Sequence, residues 1–219
     1  MLQLRRALLL LPLLLPVSAA FFSSFPSGVK PALRRRSPIA EALPKAVVFD
    51  LDGCLWAPDM YMLWGGGAPF SVQEDGTLKD VRGSTVRMLG AVPEVLSELK
   101  SDPKWEGVKV CVASCTDEPS WAQECMHLFK IADGSALKSA LMVEEIWGGN
   151  KQGHLRNIAK RTNIELEDML FFDNERGNCV DVNAIGVTVA YVPNGVTALA
   201  WEKALKNFPS TGAIIQGNK

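Results

Sequence analysis

The stretch that decides the reading is Val47-Val48-Phe49-Asp50-Leu51-Asp52-Gly53-Cys54-Leu55-Trp56. A short apolar run rich in β-branched residues leads straight into two acids spaced i, i+2. Such a run reads as a strand buried on both faces. Period-two alternation puts Asp50 and Asp52 on the same side of the backbone. Two carboxylates at the end of a buried strand repel each other and are costly to desolvate. A chain keeps such a pair where a cation sits between them, or where their protonation is used. Gly53 agrees with this, because glycine allows a sharp turn where the strand ends. The competing reading, two acids on an exposed edge strand, conflicts with the apolar run before them.

Outward from this strand, the pattern repeats. Residues 108–114 read as a second buried strand, 141–143 as a short third, 169–172 as a fourth ending in Asp173, and 187–191 as a fifth. Helical spacing of apolar residues predicts helices over 92–100, 119–130, 151–161, 176–184 and 198–207. Strands alternating with helices predict an α/β fold, a doubly wound parallel sheet. Ligands bind such sheets at the carboxyl ends of the strands, where Asp50, Asp52, Ser114, Asp173 and Asn174 fall. Residues 57–81 are irregular, with Gly65-Gly66-Gly67 and a hairpin signal at Glu74-Asp75-Gly76. An insertion there predicts a small flap over the site. Gly65–Gly67 reads as flap flexibility, since no strand-to-helix context makes it a phosphate cradle. Trp56 and Trp64 read equally as substrate-stacking or core residues. The tail 209–219 is expected to be loose.

Asp50-x-Asp52, Ser114, Lys151 and Asp173-Asn174 occur in that order. In VVFDLDGCLW, in the lysine of GGNKQGHLRNIAKRTNI, and in FFDNERGNCVDVNAIGVT with the NGVT that follows, the chain resembles the haloacid dehalogenase (HAD) superfamily. It is more closely similar to the magnesium-dependent phosphatase 1 family, over residues 44–208. The resemblance implies a HAD-like Rossmannoid without a large cap domain, and a phosphomonoesterase working through an aspartyl-phosphate. It implies Asp50 as nucleophile and Asp52 as general acid and base. Mg²⁺ would be held by Asp50, the Asp52 backbone carbonyl and Asp173. Ser114 and Lys151, with Leu51 and Cys115 beside them, would contact the phosphate. The logic is electrostatic: a phosphate dianion repels a carboxylate nucleophile, so the site must supply positive charge. Phosphotyrosine, on a protein, or a small sugar phosphate is the implied substrate. Taken singly, Ser114 also reads as a turn residue, Lys151 as a solvated helix-start lysine and Asp173 as a helix cap. Two departures matter. Asn174 stands where the family has a second acid, which predicts weaker Mg²⁺ affinity. Cys115 stands where the family often has arginine. Two other readings stay open: a non-hydrolytic, receiver-like phospho-acceptor, and a catalytically impaired binding protein. Receivers carry the phosphorylated Asp after strand three, where this chain has Val143-Glu144-Glu145.

Composition is that of a globular protein, 47% hydrophobic and 21% charged. The net charge of -1 conceals an asymmetry: residues 1–42 carry six basic side chains against Glu41, a net of +5, leaving -6 for the rest. An acidic body argues against general nucleic-acid affinity. Residues 1–20 have the form of a signal peptide: Arg5 and Arg6, an apolar core from Ala7 to Val17, then small residues to Ala20. The apolar run is too short for a comfortable membrane span and is broken by Pro12 and Pro16, so no membrane is expected for the mature form. Residues 21–43 have transit-peptide composition, with no acid before Glu41 and the block Arg34-Arg35-Arg36. This succession, with Phe21-Phe22 at the junction, resembles the bipartite plastid presequence of algae with secondary plastids; secretion is the alternative. Five cysteines without a CxxC pair read as free thiols in a reducing compartment, which suits a plastid. With only His127 and His154, a His/Cys zinc site is not expected.

Overall fold

A computed structural model describes residues 42–210 and 212–218. The presequence expectations over 1–41 lie outside the described residues. Strand β1 (Ala46–Phe49) is fully buried, as its unbroken apolar run requires. It pairs in parallel with β6 (Lys109–Ser114) on one side and β8 (Met169–Asp173) on the other. With β7 (Val143–Ile146), β9 (Thr188–Tyr191) and β10 (Ile215–Gln216), these strands make a six-stranded parallel sheet ordered β10-β9-β8-β1-β6-β7.

Alternation along β1 feeds two cores. Val47 and Phe49 pack with Val95 and Leu96 of α1 (Val92–Ser101), Met126 of α2 (Pro119–Leu128) and Trp201 of α5 (Ala198–Lys206). Ala46 and Val48 pack with Leu155 and Ile158 of α3 (Lys151–Thr162) and Val182 of α4 (Arg176–Asn183). Helices on both faces cover a sheet whose strands have no polar side to show, which is the doubly wound arrangement expected.

Three elements differ from the sequence expectation. The third strand runs two residues later than 141–143 and contains Glu144 and Glu145. Glu145 tolerates burial because Arg161 Nη1 (2.7 Å), Trp147 Nε1 (2.9 Å) and Asn157 Nδ2 (3.0 Å) all donate to it. The tail is not loose: Ile215 and Gln216 pair with Ala190 and Tyr191, and Gly217 N donates to the Tyr191 carbonyl at 2.9 Å. Docking buries Ile215 and covers what would otherwise be an open sheet edge. The insertion is larger than one hairpin. The expected hairpin, β3 (Ser71–Val72) with β4 (Leu78–Lys79), extends through β5 (Thr85–Met88) to β2 (Trp56–Ala57) as a four-stranded antiparallel sheet.

Asp80 organises this flap. Its buried carboxylate accepts from the amides of Gly67 (3.1 Å), Arg82 (2.9 Å) and Ser84 (2.7 Å). The glycine run therefore serves close approach and not flexibility. A Cβ on Gly66 would lie 2.1 Å from Asp80 Oδ2, and one on Gly67 would lie 2.2 Å from the Trp121 ring. Among the described residues no helix is long and apolar enough to cross a membrane.

Candidate active site

The nucleophile loop follows from the register. Phe49 is level with Phe172, and the Asp50 amide donates to the Phe172 carbonyl at 2.9 Å, so Asp50 and Asp173 emerge side by side. Chain connections leave β1 toward β6 and β7 in one direction and return to β8 and β9 in the other. The strand order reverses there, which is where such sheets bind ligands. After Asp50 the chain coils tightly: Leu55 N and Cys54 N donate to the Leu51 carbonyl at 2.8 and 3.2 Å, and Gly53 N to the Trp56 carbonyl at 2.8 Å. Gly53 has φ +71°, and a Cβ there would lie 2.2 Å from Asn174 Nδ2. The NGVT segment buttresses this coil, with Val196 N donating to the Cys54 carbonyl at 3.2 Å.

Lys151, the first residue of α3, is no solvated helix-start lysine: it is 3% exposed. Its Nζ lies 2.5 Å from Asp50 Oδ1, 2.6 Å from the Ala113 carbonyl and 3.5 Å from Asp173 Oδ2. Burial opposes its charge, but the carboxylates of Asp50 and Asp173 outweigh that and hold the amine above its usual range. Asp173 is fully buried; its Oδ1 accepts from Glu175 N at 2.7 Å and its Oδ2 from Asn178 Nδ2 at 3.1 Å. Its helix-end hydrogen bond and its place beside Asp50 thus coexist. Burial first, and the Asp50 charge second, push its carboxyl up to about 7.

A cavity of about 230 Å³ opens at these strand ends, lined by Asp50, Asp52, Ser114, Cys115 and Lys151 together with Asp59, Tyr61, Thr116, Gly149, Glu175 and Asn178. The Ser114 hydroxyl lines it while accepting from Thr116 N at 3.3 Å, and the Cys115 thiol donates to the Gly149 carbonyl at 3.0 Å. The Leu51 side chain is wholly buried in the core, so the main chain is what it could offer to a phosphate. Trp64 stands 85% exposed, whereas Trp56 is buried against Phe129 at a centroid distance of 6.0 Å. Trp56 Nε1 also donates to Asp52 Oδ1 at 2.8 Å. Burial raises the Asp52 carboxyl to about 6 against the pull of that hydrogen bond. Sequence reasoning offered Trp56 as a core or stacking residue but not as a partner of Asp52, and it missed Thr116 and Asn178. Thr116 lies two residues past Ser114, and Asn178 lies five past Asp173 within the quoted FFDNERGNCVDVNAIGVT.

The oxygen donors suit a hard divalent cation. Those that could hold one are the carboxylates of Asp50 and Asp173, the Asp52 carbonyl that the resemblance implies, and Asn174 Oδ1, a buried side-chain oxygen with no hydrogen-bond partner among the described residues. No three carboxylate, imidazole or thiol side chains form a closed cage among the described residues. Mg²⁺ does not need one, since it takes one or two carboxylates and keeps waters or phosphate oxygens. The Cys54 thiol is kept protonated by burial, so it offers no thiolate.

A parallel sheet with aspartates at the ends of two adjacent central strands, a buried lysine facing both and an acid two residues on is the arrangement that the resemblance to the HAD superfamily implied. Residues 42–211 match the family model described as Acid Phosphatase. The chain is 37% identical to Magnesium-dependent phosphatase 1 of Homo sapiens, over 76% of this chain and 88% of that protein. It is 33% identical to a HAD-like hydrolase superfamily protein of Schizosaccharomyces pombe, over 66% of this chain and 83% of the relative. A crystal structure of a putative phosphatase from Clostridium difficile superposes with a TM-score of 0.51 at 13% identity, covering 80% of this chain and 95% of the other, which speaks for the fold. The chain belongs to the magnesium-dependent phosphatase 1 family of the HAD superfamily, and is a phosphatase of that class.

Proposed function

We propose that this chain is a Mg²⁺-dependent phosphomonoesterase that turns over through an aspartyl-phosphate on Asp50. The observation that carries this is the Lys151 ammonium 2.5 Å from Asp50 and 3.5 Å from Asp173, beside an acid two residues further on. An Asp50 oxygen attacks phosphorus, and the ester P–O bond breaks with its electron pair passing to the leaving oxygen. Asp52 delivers a proton to that oxygen as the bond breaks. In the second half Asp52, now a carboxylate, takes a proton from the water that attacks phosphorus, and the Asp50 carboxylate is released. Lys151 and the Ser114 hydroxyl hold the phosphoryl oxygens and offset their charge. Asp50, Asp173 and the Asp52 carbonyl would hold Mg²⁺, which supplies further charge neutralisation when bound.

The small cavity and the half-exposed Tyr61 ring at its rim support a small or accessible ester, a phosphotyrosine or a sugar phosphate. A receiver-like acceptor is less well supported. Asp50 ends the first strand, and the acids of the third strand are engaged elsewhere, Glu145 by Arg161 and Glu144 by Lys138. Hydrolysis of p-nitrophenyl phosphate with and without EDTA tests the proposal, with Asp50→Asn expected to abolish turnover in a folded protein. Activity indifferent to EDTA would refute the metal role. Stable phosphorylation by acetyl phosphate without turnover would favour the receiver. The presequence composition supports plastid import as the localisation, which a fusion of residues 1–43 to a fluorescent protein tests.

A further inference from the structure

We infer that Trp56 is a positioning residue for Asp52, fixing which carboxyl oxygen carries the proton delivered to the leaving group. This rests on the phosphomonoesterase reading. The indole N–H can only donate, and it donates to Asp52 Oδ1 at 2.8 Å. Oδ1 is therefore held as an acceptor, and the proton of the neutral carboxyl belongs on Oδ2. Trp56 itself is held in three ways. It is fully buried and stacked on Phe129 at an interplanar angle of 27°. Its carbonyl accepts from Gly53 N at 2.8 Å, which closes the coil between Asp52 and Trp56. Its main chain pairs with Met88 as the first residue of the flap sheet. The donor is thus anchored to two bodies, the nucleophile coil and the flap. The Met60 amide and the Thr116 hydroxyl also bear on this carboxyl, but the indole is the donor held at a definite oxygen, Oδ1, and it orients the group for proton delivery. A water could take the place of an absent indole, but it would not impose the same orientation.

The test compares p-nitrophenyl phosphate, whose leaving group needs little protonation, with benzyl phosphate, whose alkoxide needs it fully. kcat/KM reports phosphoryl transfer to Asp50 and is blind to the later water step. With saturating Mg²⁺, Trp56→Phe is expected to lower kcat/KM for benzyl phosphate about tenfold more than for p-nitrophenyl phosphate, a part of the general-acid effect. Replacing Trp56 by β-(3-benzothienyl)alanine, which keeps the shape and removes only the N–H, gives the same discrimination without a cavity and stands in if the phenylalanine variant does not fold. Phe129→Leu loosens the same packing without touching the hydrogen bond and should show no leaving-group dependence. Equal losses on both esters in the Trp56 variants, or the same discrimination in Phe129→Leu, overturn the inference. A wild type that hydrolyses neither ester overturns the phosphatase reading itself, and this inference with it.

Discussion

Lys151 and Asp50, separated by 101 residues, meet in a buried ion pair of 2.5 Å at the end of the central strand. The lysine also faces Asp173, so it is the one cation among the described residues that offsets two nearly inaccessible carboxylates. Removing one member of such a cluster leaves uncompensated buried charge, which costs roughly 3–5 kcal/mol. Lys151→Met should lose that much stability in urea titrations without metal, and lose activity. Added Mg²⁺ should restore part of the stability, because it neutralises the same two carboxylates. No recovery with Mg²⁺ would speak against Asp50 and Asp173 as its ligands.

Asp52 gives a pH prediction. Its folded-state value of about 6 lies above the ordinary 3.8, mainly through burial. For an acid raised in this direction the charged form costs stability. The cost is absent below the unfolded value and complete above about 6. At neutral pH the penalty is roughly 2–3 kcal/mol. Asp52→Asn should therefore be inactive yet melt about 5 °C higher at neutral pH in the metal-free protein, with the gain vanishing near pH 4. Calorimetry at both pH values checks this. An equal gain at both would mean that ionisation is not its cause.

Asn174 carries a buried oxygen without a partner among the described residues, beside Gly53 and next to Asp173. Asn174→Asp places a second carboxylate there. The expected result is tighter Mg²⁺ binding by titration calorimetry, by about tenfold, and lower stability without metal, since a further buried charge joins Asp50 and Asp173. Unchanged Mg²⁺ affinity would place Asn174 outside the cation's reach.

Asp80 holds the flap together through three amides, which keep its carboxyl below the usual carboxylate range although burial opposes this. Asp80→Ala leaves these amides unpaired, at about 1–3 kcal/mol each if they stay buried. The flap should loosen, seen as faster proteolysis between residues 64 and 67. Because Asp59 and Tyr61 line the cavity from the same insertion, KM should rise while kcat stays within about twofold. A fall in kcat with KM unchanged would assign the flap a part in the chemistry.

The alternation around Val47–Asp52 was enough to put two acids at the end of a central buried strand, because period two and burial are properties of a few adjacent residues. The same local logic supplied five of the six parallel strands and all five helices, and it put Asp50, Ser114 and Asp173 together through the rule that sheet ligands bind at strand ends, while Lys151 joined them only through the family resemblance. It could not supply the docked tail, the flap strands β2 and β5, or the displacement of the third strand onto Glu144 and Glu145. Their stability comes from partners distant in sequence, such as Tyr191 for Gly217 and Arg161 for Glu145. Nor could it show that Trp56 serves Asp52 or that Asp80 threads the glycine run. Hydrogen bonds of that kind depend on where a coil returns after a turn, and only the packed chain decides it.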